Sequence, residues 1–311
     1  MNAIADVRYL STPRFAQLET RFDRALGIYW AWMDPKPQHN FNPALLADIA
    51  GYLDSIENSA GTMNDDRGES GEIRYAVIAS KAPGVYNLGG DLALFKAAIQ
   101  RRDRAALVRY GRDCVDILYR WWHNCHQPIT TISLVQGDAL GGGFECALST
   151  SVLVAEEDAR MGFPEILFNL FPGMGAYSFL SRKVGRRITE ELVTSGRMYS
   201  ARELYDLGVV DVITPNGTGQ AAVESYVRKH SRSGNGRRGI ESVAREMNPL
   251  THEELMRVVE LWADAALKLS ERDLRMMDRI VRAQQRRAGD DAGVLESAVS
   301  NVVPIAVGAG D

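Results

Sequence analysis

Gly141-Gly-Gly-Phe-Glu-Cys146 and Phe163-Pro-Glu-Ile166 are the two stretches that decide how this chain is interpreted. In the first, a triple glycine precedes Glu145 at the predicted start of a helix. In the second, Glu165 stands among apolar residues at the predicted end of a strand. Apolar neighbours predict that both carboxylates are buried, and a buried carboxylate is unfavourable unless it is paired or functional. The two stretches therefore predict a proton-transfer site, with two structural, hydrogen-bonded carboxylates as the alternative.

A glycine turn precedes each of two predicted helices. Asn87-Leu-Gly-Gly-Asp91 has Asp91 as its expected helix N-cap, and Gly141 to Gly143 precede the helix that carries Glu145. Glycine lets a ligand atom approach the unpaired amides at a helix N-terminus, where the helix dipole favours negative charge. The alternative is a tight turn in which glycine only relieves steric crowding. We expect one amide from each turn to meet at a single oxygen.

Strands and helices alternate along the chain, which predicts an α/β protein with crossover connections. Strands are expected at residues 25–33, 74–80, 128–135, 151–155 and 209–213. Asn42-Pro43 opens a first helix, and a long helical region at 92–124 is expected to break near Gly111. Two polar, glycine-bearing stretches are predicted to be loops, 58–71 and 231–239.

Capping boxes mark two helix starts in the last third of the chain. Ser200 and Glu203 form one, and Thr251 and Glu254 form the other at the start of a C-terminal helix. One apolar stripe is predicted to follow, made of Leu255, Val258, Val259, Trp262, Ala266, Leu269 and Met277.

The composition is that of an ordinary soluble protein. Of 311 residues, 45% are hydrophobic and 24% are charged, and the net charge of −4 gives no reason to expect a nucleic-acid or membrane surface. Three cysteines form no Cys-x-x-Cys pair, and neither a signal peptide nor a membrane-spanning apolar run is visible. We therefore expect a cytoplasmic protein of one large domain or two smaller ones.

The segment His123-Asn-Cys125-His126 has the residue types of a metal site. No fourth ligand follows at suitable spacing and histidines are common at helix C-termini, so no metal site is predicted. The basic run from Lys96 to Arg109 is interpreted as a solvated helix face, with a docking patch for an acidic partner as the alternative.

The chain resembles the crotonase (enoyl-CoA hydratase/isomerase) superfamily in three motifs that occur in order: Ala139-Leu-Gly-Gly-Gly-Phe-Glu145, Phe163-Pro-Glu-Ile-Leu167 and Phe171-Pro-Gly-Met-Gly175. The resemblance runs from about Ile28 through Val212. It implies a crotonase-like spiral of ββα units with a C-terminal helical region. It also implies assembly as homotrimers or dimers of trimers.

The superfamily pattern implies roles for individual residues. The acid/base pair falls on the two glutamates, Glu145 and Glu165. The oxyanion-hole amides fall on Leu88 and Gly142. Contacts to substrate are implied for the neighbouring glycines, Gly89 and Gly141.

Residues 171–180 and 274–284 resemble the diffusible-signal-factor (DSF) synthases, a bacterial branch of the crotonases. This resemblance implies a dehydratase and thioesterase that converts 3-hydroxyacyl chains on acyl carrier protein to free cis-2-unsaturated fatty acids for quorum sensing. It implies that Met174 and Trp262 line the acyl-chain pocket. It implies no permanently bound cofactor, a phosphopantetheine thioester substrate on acyl carrier protein or coenzyme A, and a sensor or regulator protein as a further partner.

Three regions are predicted along the chain. Residues 1–245 form the crotonase-like catalytic core, with a helical insert at about 92–124. Residues 246–288 form the C-terminal helical region, and residues 289–311 form a poorly ordered tail.

The implied reaction begins with a 3-hydroxyacyl thioester whose carbonyl oxygen binds the two amides. Glu165 removes the proton next to the carbonyl, and Glu145 protonates the departing hydroxyl. The first alternative is an ordinary enoyl-CoA hydratase of fatty-acid oxidation, which needs the same two glutamates. An isomerase fits less well, because isomerases of this superfamily commonly keep only the second glutamate position. A non-catalytic crotonase-fold binding partner is a further alternative.

Overall fold

A computed structural model describes residues 13–287, so the predicted tail at 289–311 lies outside the described residues. The strands are β1 (Leu18–Asp23), β2 (Ile28–Met33), β3 (Thr62–Asn64), β4 (Ser70–Glu72), β5 (Tyr75–Ser80), β6 (Val85–Asn87), β7 (Thr130–Val135), β8 (Asp138–Leu140), β9 (Val152–Glu156), β10 (Arg160–Gly162), β11 (Met198–Ser200) and β12 (Val212–Thr214). The α-helices are α1 (Pro43–Glu57), α2 (Leu92–Gln100), α3 (Arg104–Trp122), α4 (Gly142–Leu148), α5 (Ala176–Thr194), α6 (Ala201–Asp206), α7 (Gly219–His230), α8 (Gly234–Met247), α9 (His252–Ala266) and α10 (Glu271–Arg287). Within this range, no helix combines the length and the apolar character that crossing a membrane requires.

Two sheets organise the chain. The larger has the strand order β1-β2-β5-β7-β9-β12, and its neighbours from β2 onward are parallel. The smaller has the order β11-β10-β8-β6, in which β6, β8 and β10 are parallel. Successive turns of the chain add one strand to each sheet and then a helical segment, as in β5-β6-α2 and β7-β8-α4. This spiral of ββα turns confirms the predicted α/β fold class.

The centre of the larger sheet is buried on both faces. Every residue of β5 and of β7 is buried, so these strands read as continuous apolar or small-residue runs. Ile78 belongs to the main core, which includes residues of α1 and α3, whereas its neighbour Val77 belongs to a second cluster with Val223 of α7. Each fully buried aliphatic side chain of this kind contributes roughly 1.5–3 kcal/mol to stability.

Side-chain caps fix the helix starts that the sequence predicts. The Asn42 side chain accepts the Leu45 N–H at 2.9 Å, and α1 begins with Pro43. Ser200 and Glu203 form both hydrogen bonds of the predicted capping box. Both predictions are confirmed. They could be made from the sequence because a cap depends on side chains within one helical turn.

Two predicted features of the first half are wrong. The predicted loop at 58–71 contains β3, which pairs with β4 as a short antiparallel hairpin. The predicted break near Gly111 lies earlier, where Arg102 has φ 53° and the Asp103 side chain accepts the Ala106 N–H at 2.9 Å to start α3. Gly111 instead lies inside α3, where a Cβ atom would stand 2.5 Å from Val259 of α9. The absence of a side chain at Gly111 lets α3 and α9 pack closely.

The predicted loop at 231–239 is also wrong, because a short 3-10 helix and α8 occupy it. Its glycines disfavour a helix, but tertiary contacts override that propensity. Arg245 Nε donates to the Trp122 carbonyl at 3.1 Å, and Glu241 accepts from the Asn124 side chain at 3.2 Å. The proposed boundary between the core and the helical region, at residue 245, falls inside α8.

The C-terminal helical region consists of α9 and α10. Thr251 accepts the Glu254 N–H at 3.1 Å, but the Glu254 carboxylate pairs with Arg182 at 2.8 Å. Only half of the predicted capping box therefore forms. The predicted stripe is divided between the two helices, because α9 ends at Ala266 and α10 begins at Glu271. Its buried members are Leu255, Val259, Trp262, Ala266 and Met277, while Val258 and Leu269 are half-buried.

Candidate active site

The two glycine turns lie against each other at one edge of the smaller sheet. The parallel pairing of β6 with β8 brings their carboxyl ends together. Gly89 has φ +94°, and a Cβ atom there would lie 2.7 Å from the Leu140 carbonyl and 3.2 Å from the Gly142 nitrogen. Only glycine permits this approach, so the predicted convergence of the two turns is present.

The amide of Leu88 is not available to a ligand in this structure. Its N–H donates to the His39 carbonyl at 2.8 Å. The Leu88 side chain is buried in a small cluster with Leu140 and does not line the cavity described below. The structure thus places Leu88 away from the cavity, and Gly90 is the residue of this turn that lines it.

Glu145 is held by main-chain amides at the start of α5. The residue is 1% exposed, and its Oε1 accepts the N–H groups of Met174 at 2.8 Å and of Ala176 at 2.9 Å. Burial raises the pKa of Glu145 to about 7, while these hydrogen bonds oppose the rise. The two hydrogen bonds fix the position of Oε1. They also stabilise the charged form of Glu145 more than that of a buried carboxylate without hydrogen bonds.

Glu165 has the opposite environment. It lies in a 3-10 helix, Pro164–Phe168, directly after β10. The residue is half-buried, but its Oε2 is shielded from solvent and has no hydrogen-bond partner among residues 13–287. Burial, reinforced by the charge of Glu145, raises the pKa of Glu165 to about 8. The neutral acid is therefore the favoured form near neutral pH.

The two glutamates form a coupled pair with unlike protonation states. As pH rises, the more stabilised Glu145 ionises first, and its charge then keeps the proton on Glu165. A carboxylate and a carboxylic acid in one cavity supply a base and an acid at the same pH. This is the main chemical property of the site.

A small apolar cavity joins the glutamates to the glycine turns. Its lining includes the predicted residues Gly142, Glu145, Glu165, Met174 and Trp262. The sequence interpretation missed the others, which are Gly90, Leu92, Phe95, Tyr110, Gly111, Phe168, Leu170 and Gly173. The cavity volume is about 40 Å³, which is room for water and too little for an acyl chain.

Gly89 and Gly141, for which substrate contacts were predicted, do not line the cavity. Gly89 contacts the second turn, and Gly141 contacts Glu165.

Aromatic side chains from the insert and from α9 form one wall of the cavity. Phe95 packs edge-to-face on Tyr110 and on Trp262, in each case with ring centroids 4.9 Å apart. The apolar face of the insert, which includes Phe95 and Tyr110, is the sequence signal that could have identified this wall. A wall of this kind suits an apolar ligand.

Comparison with known proteins gives a family match over most of the chain. A family model described as enoyl-CoA hydratase/isomerase matches residues 33–277. The fatty acid oxidation complex subunit alpha of Vibrio cholerae is 28% identical over 54% of this chain and 23% of its own length. A probable mitochondrial enoyl-CoA hydratase 2 of Arabidopsis thaliana is 29% identical over 69% of this chain and 66% of its own length. The chain thus spans less than two thirds of either relative.

The fold also matches solved structures. Human mitochondrial delta3-delta2-enoyl-CoA isomerase superposes with a TM-score of 0.71 over 88% of this chain and 100% of the other. Sequence identity in that superposition is 16%, so the likeness concerns the fold alone.

Proposed function

Since the chain belongs to the enoyl-CoA hydratase/isomerase family of the crotonase superfamily, we propose that it adds water reversibly across the double bond of a 2-enoyl thioester. One observation carries the proposal, namely the unlike environments of the two glutamates. Glu145 accepts two amide hydrogen bonds, while Glu165 keeps an unpartnered, buried oxygen. Hydration needs one ionised base and one protonated acid, and this pair supplies both.

The thioester carbonyl oxygen is proposed to bind between the amides of Gly90 and Gly142. Gly142 is the first residue of α4, where the helix N-terminus favours negative charge. Addition of hydroxide at C3 places that charge on the carbonyl oxygen as an enolate. Loss of one such donor typically raises a barrier by about 2.7–4 kcal/mol, so two donors supply a large share of the catalysis.

The proton transfers follow from the protonation states. The Glu145 carboxylate takes a proton from water as the oxygen bonds to C3, and the C2=C3 electrons move towards the carbonyl. The Glu165 carboxyl group then donates its proton to C2 as the enolate collapses. In the reverse direction Glu165 removes the C2 proton and Glu145 protonates the leaving hydroxyl, which are the roles expected from the sequence.

The proposed substrate is an acyl-CoA thioester with an apolar acyl chain, and the cavity of about 40 Å³ has to widen to admit it. The cavity lining is aliphatic and aromatic apart from the two glutamates, the Tyr110 hydroxyl and the main chain. The names of the relatives, which include hydratases acting on CoA esters, support coenzyme A as the carrier. No permanently bound cofactor has a part in this mechanism.

The test replaces each glutamate by glutamine in an assay with 2-enoyl-CoA esters of graded chain length. We expect Glu145→Gln and Glu165→Gln each to lower kcat by about 10²–10⁴-fold, because each loses a proton-transfer group. Glu157→Gln is the matched control, since Glu157 is exposed on the surface. Normal hydration rates in either site variant would contradict the mechanism. Absence of turnover in the unmutated protein would instead favour the non-catalytic binding partner.

A second candidate function is the DSF synthase activity. Met174, from one of the two stretches that carry that resemblance, contributes to the cavity wall together with Trp262 and residues of the insert helix α3. This arrangement supports a fatty-acyl substrate and is compatible with a 3-hydroxyacyl chain carried on acyl carrier protein. Thioesterase activity, a homotrimeric or hexameric assembly and a sensor protein that binds the enzyme belong to the same proposal.

Release of free fatty acid distinguishes the DSF synthase from the hydratase. The protein is incubated with 3-hydroxyacyl carrier protein and, in parallel, with the matching CoA ester, and released acids are identified by mass spectrometry. A cis-2-unsaturated free acid that disappears with Glu165→Gln supports the synthase. If the products stay esterified in both reactions, the synthase activity is ruled out and hydration remains the proposed function.

A further inference from the structure

Tyr110 connects the insert to the first glycine turn. It lies on α3 and its side chain is buried. The hydroxyl donates to the Phe41 carbonyl at 2.6 Å and accepts the Asp91 N–H at 3.2 Å. One phenolic group therefore joins main-chain groups of two separate segments.

Phe41 holds the other side of the same turn. Its N–H donates to the Gly89 carbonyl at 2.8 Å. That carbonyl shares a peptide group with the Gly90 N–H, and the two point in opposite directions because the peptide is planar and trans. The next peptide group joins the Gly90 carbonyl to the Asp91 N–H, which the Tyr110 hydroxyl accepts. Both peptide groups that flank Gly90 are thus held from outside the turn.

A glycine pair needs such external restraint. Gly89 has φ +94°, and neither Gly89 nor Gly90 has a side chain that could limit rotation of its peptide groups. An oxyanion hole works because its donors already point at the place where charge develops. A turn that rotates freely loses this advantage even though the amide is still present.

We propose, resting on the function proposed above, that Tyr110 is a positioning residue: its hydroxyl holds the Asp91 N–H directly and holds Phe41, whose own N–H bonds the peptide group that carries the Gly90 N–H. Tyr110 acts through the turn and touches no reacting atom in this role. Its ring has a separate contact, an edge-to-face packing on Phe95 with centroids 4.9 Å apart. The hydroxyl can therefore be removed while the ring stays.

The kinetic test is Tyr110→Phe with Tyr52→Phe as the matched control. Tyr52 is also fully buried, and its hydroxyl also donates to a main-chain carbonyl, that of Tyr29 at 2.7 Å. We expect Tyr110→Phe to lower kcat by about 10–100-fold with KM changed less than about threefold, because the donor matters most to the enolate. Tyr52→Phe should change neither constant. An unchanged kcat in Tyr110→Phe overturns the proposal.

Amide hydrogen exchange provides a second readout that does not need activity. In peptides covering residues 86–94, Tyr110→Phe should exchange at least about tenfold faster at the turn, whereas Tyr52→Phe should match the unmutated protein. Unchanged exchange at the turn overturns the proposal. If the unmutated protein turns over no thioester, the proposed function fails, and the exchange result still decides whether Tyr110 holds the turn. Melting curves of both variants, with assays at low temperature, separate a loose turn from an unfolded chain.

Discussion

Gly141 lies so close to the second glutamate that no side chain fits between them. A Cβ atom on Gly141 would stand 2.1 Å from Glu165 Oε1, and the backbone φ of +49° lies in the left-handed region. The backbone conformation therefore favours glycine at this position, and any side chain here would displace the Glu165 carboxyl group. The missing side chain is what brings the second turn next to the proposed acid.

We expect Gly141→Ala to lower kcat by at least about tenfold, because the new methyl group displaces Glu165 from its position. Gly68→Ala is the control. Gly68 also has a positive φ, +78°, but has nothing within 4 Å of a Cβ atom. Both variants should lose stability from backbone strain of order 1–3 kcal/mol, and only Gly141→Ala should lose turnover. Equal activity of the two variants, measured on folded protein, would rule out this role for Gly141.

At the residue scale, the sequence predicts side-chain features better than main-chain directions. Burial of Glu145 could be predicted because its neighbours in the helix are apolar. The donor role of Leu88 could not be judged, because its amide meets the His39 carbonyl, which comes from a distant part of the chain. The pattern of side chains in a sequence does not indicate the direction of a backbone N–H in a glycine-rich turn.

Helices α3 and α9 pack through a glycine at their contact. A Cβ atom on Gly111 would lie 2.5 Å from Val259 Cγ1, and Val259 is fully buried and cannot move into solvent. We expect Gly111→Ala to reduce the free energy of unfolding by about 1–3 kcal/mol, since overpacking a core contact forces the helices apart. Urea unfolding at equilibrium measures the change.

Gly239→Ala is the matched control for that experiment. Gly239 is also helical, in α8, but a Cβ atom there meets nothing within 4 Å. Alanine at this site should raise the free energy of unfolding by about 0.4–1 kcal/mol, because it restricts the unfolded chain. Recovery of stability in a Gly111→Ala, Val259→Ala double variant would confirm the contact as the cause. Stabilisation by Gly111→Ala alone would refute it.

At the element scale, local sequence signals predicted where helices begin, whereas contacts between distant parts of the chain determined the features that were not predicted. The Asp91 cap of α2 could be read from sequence because its partner, the Leu94 N–H, lies one turn away. The helix α8 could not, because its glycines disfavour a helix and its supporting partners, such as Trp122, lie far along the chain. The apolar face of the insert indicates Phe95 and Tyr110, but Trp262, the partner of Phe95, lies far along the chain, so the contact between them could not be predicted.

For the molecule as a whole, the two glutamates make stability depend on pH in an unusual direction. Both keep their protons above the ordinary glutamate pKa of 4.5, up to about 7 for Glu145 and about 8 for Glu165. Between about pH 4.5 and 8 these two side chains therefore bind more protons in the folded chain than in the unfolded chain. Their contribution to the free energy of unfolding falls as pH rises through this window, by at most about 1.4 kcal/mol per pH unit for each proton.

Glu165→Gln tests this dependence by removing one of the titrating groups. The melting temperature of the unmutated protein should fall relative to that of Glu165→Gln as pH rises from about 5 to about 8.5. Below the ordinary glutamate pKa the difference should stay constant. Glu157→Gln, at an exposed position, should follow the unmutated protein throughout. A difference that stays flat or reverses sign across the window would contradict the raised pKa of Glu165.

Because β6, β8 and β10 pair through main-chain hydrogen bonds, their alignment places few demands on the segments that connect them. Each strand ends just before one part of the site, respectively Gly90, Gly142 and Glu165. A connection can be long, as residues 92–124 are between β6 and β7, without shifting the strands that deliver the other parts. In evolutionary terms, the walls of the cavity can change while the residues that follow β6, β8 and β10 stay in place.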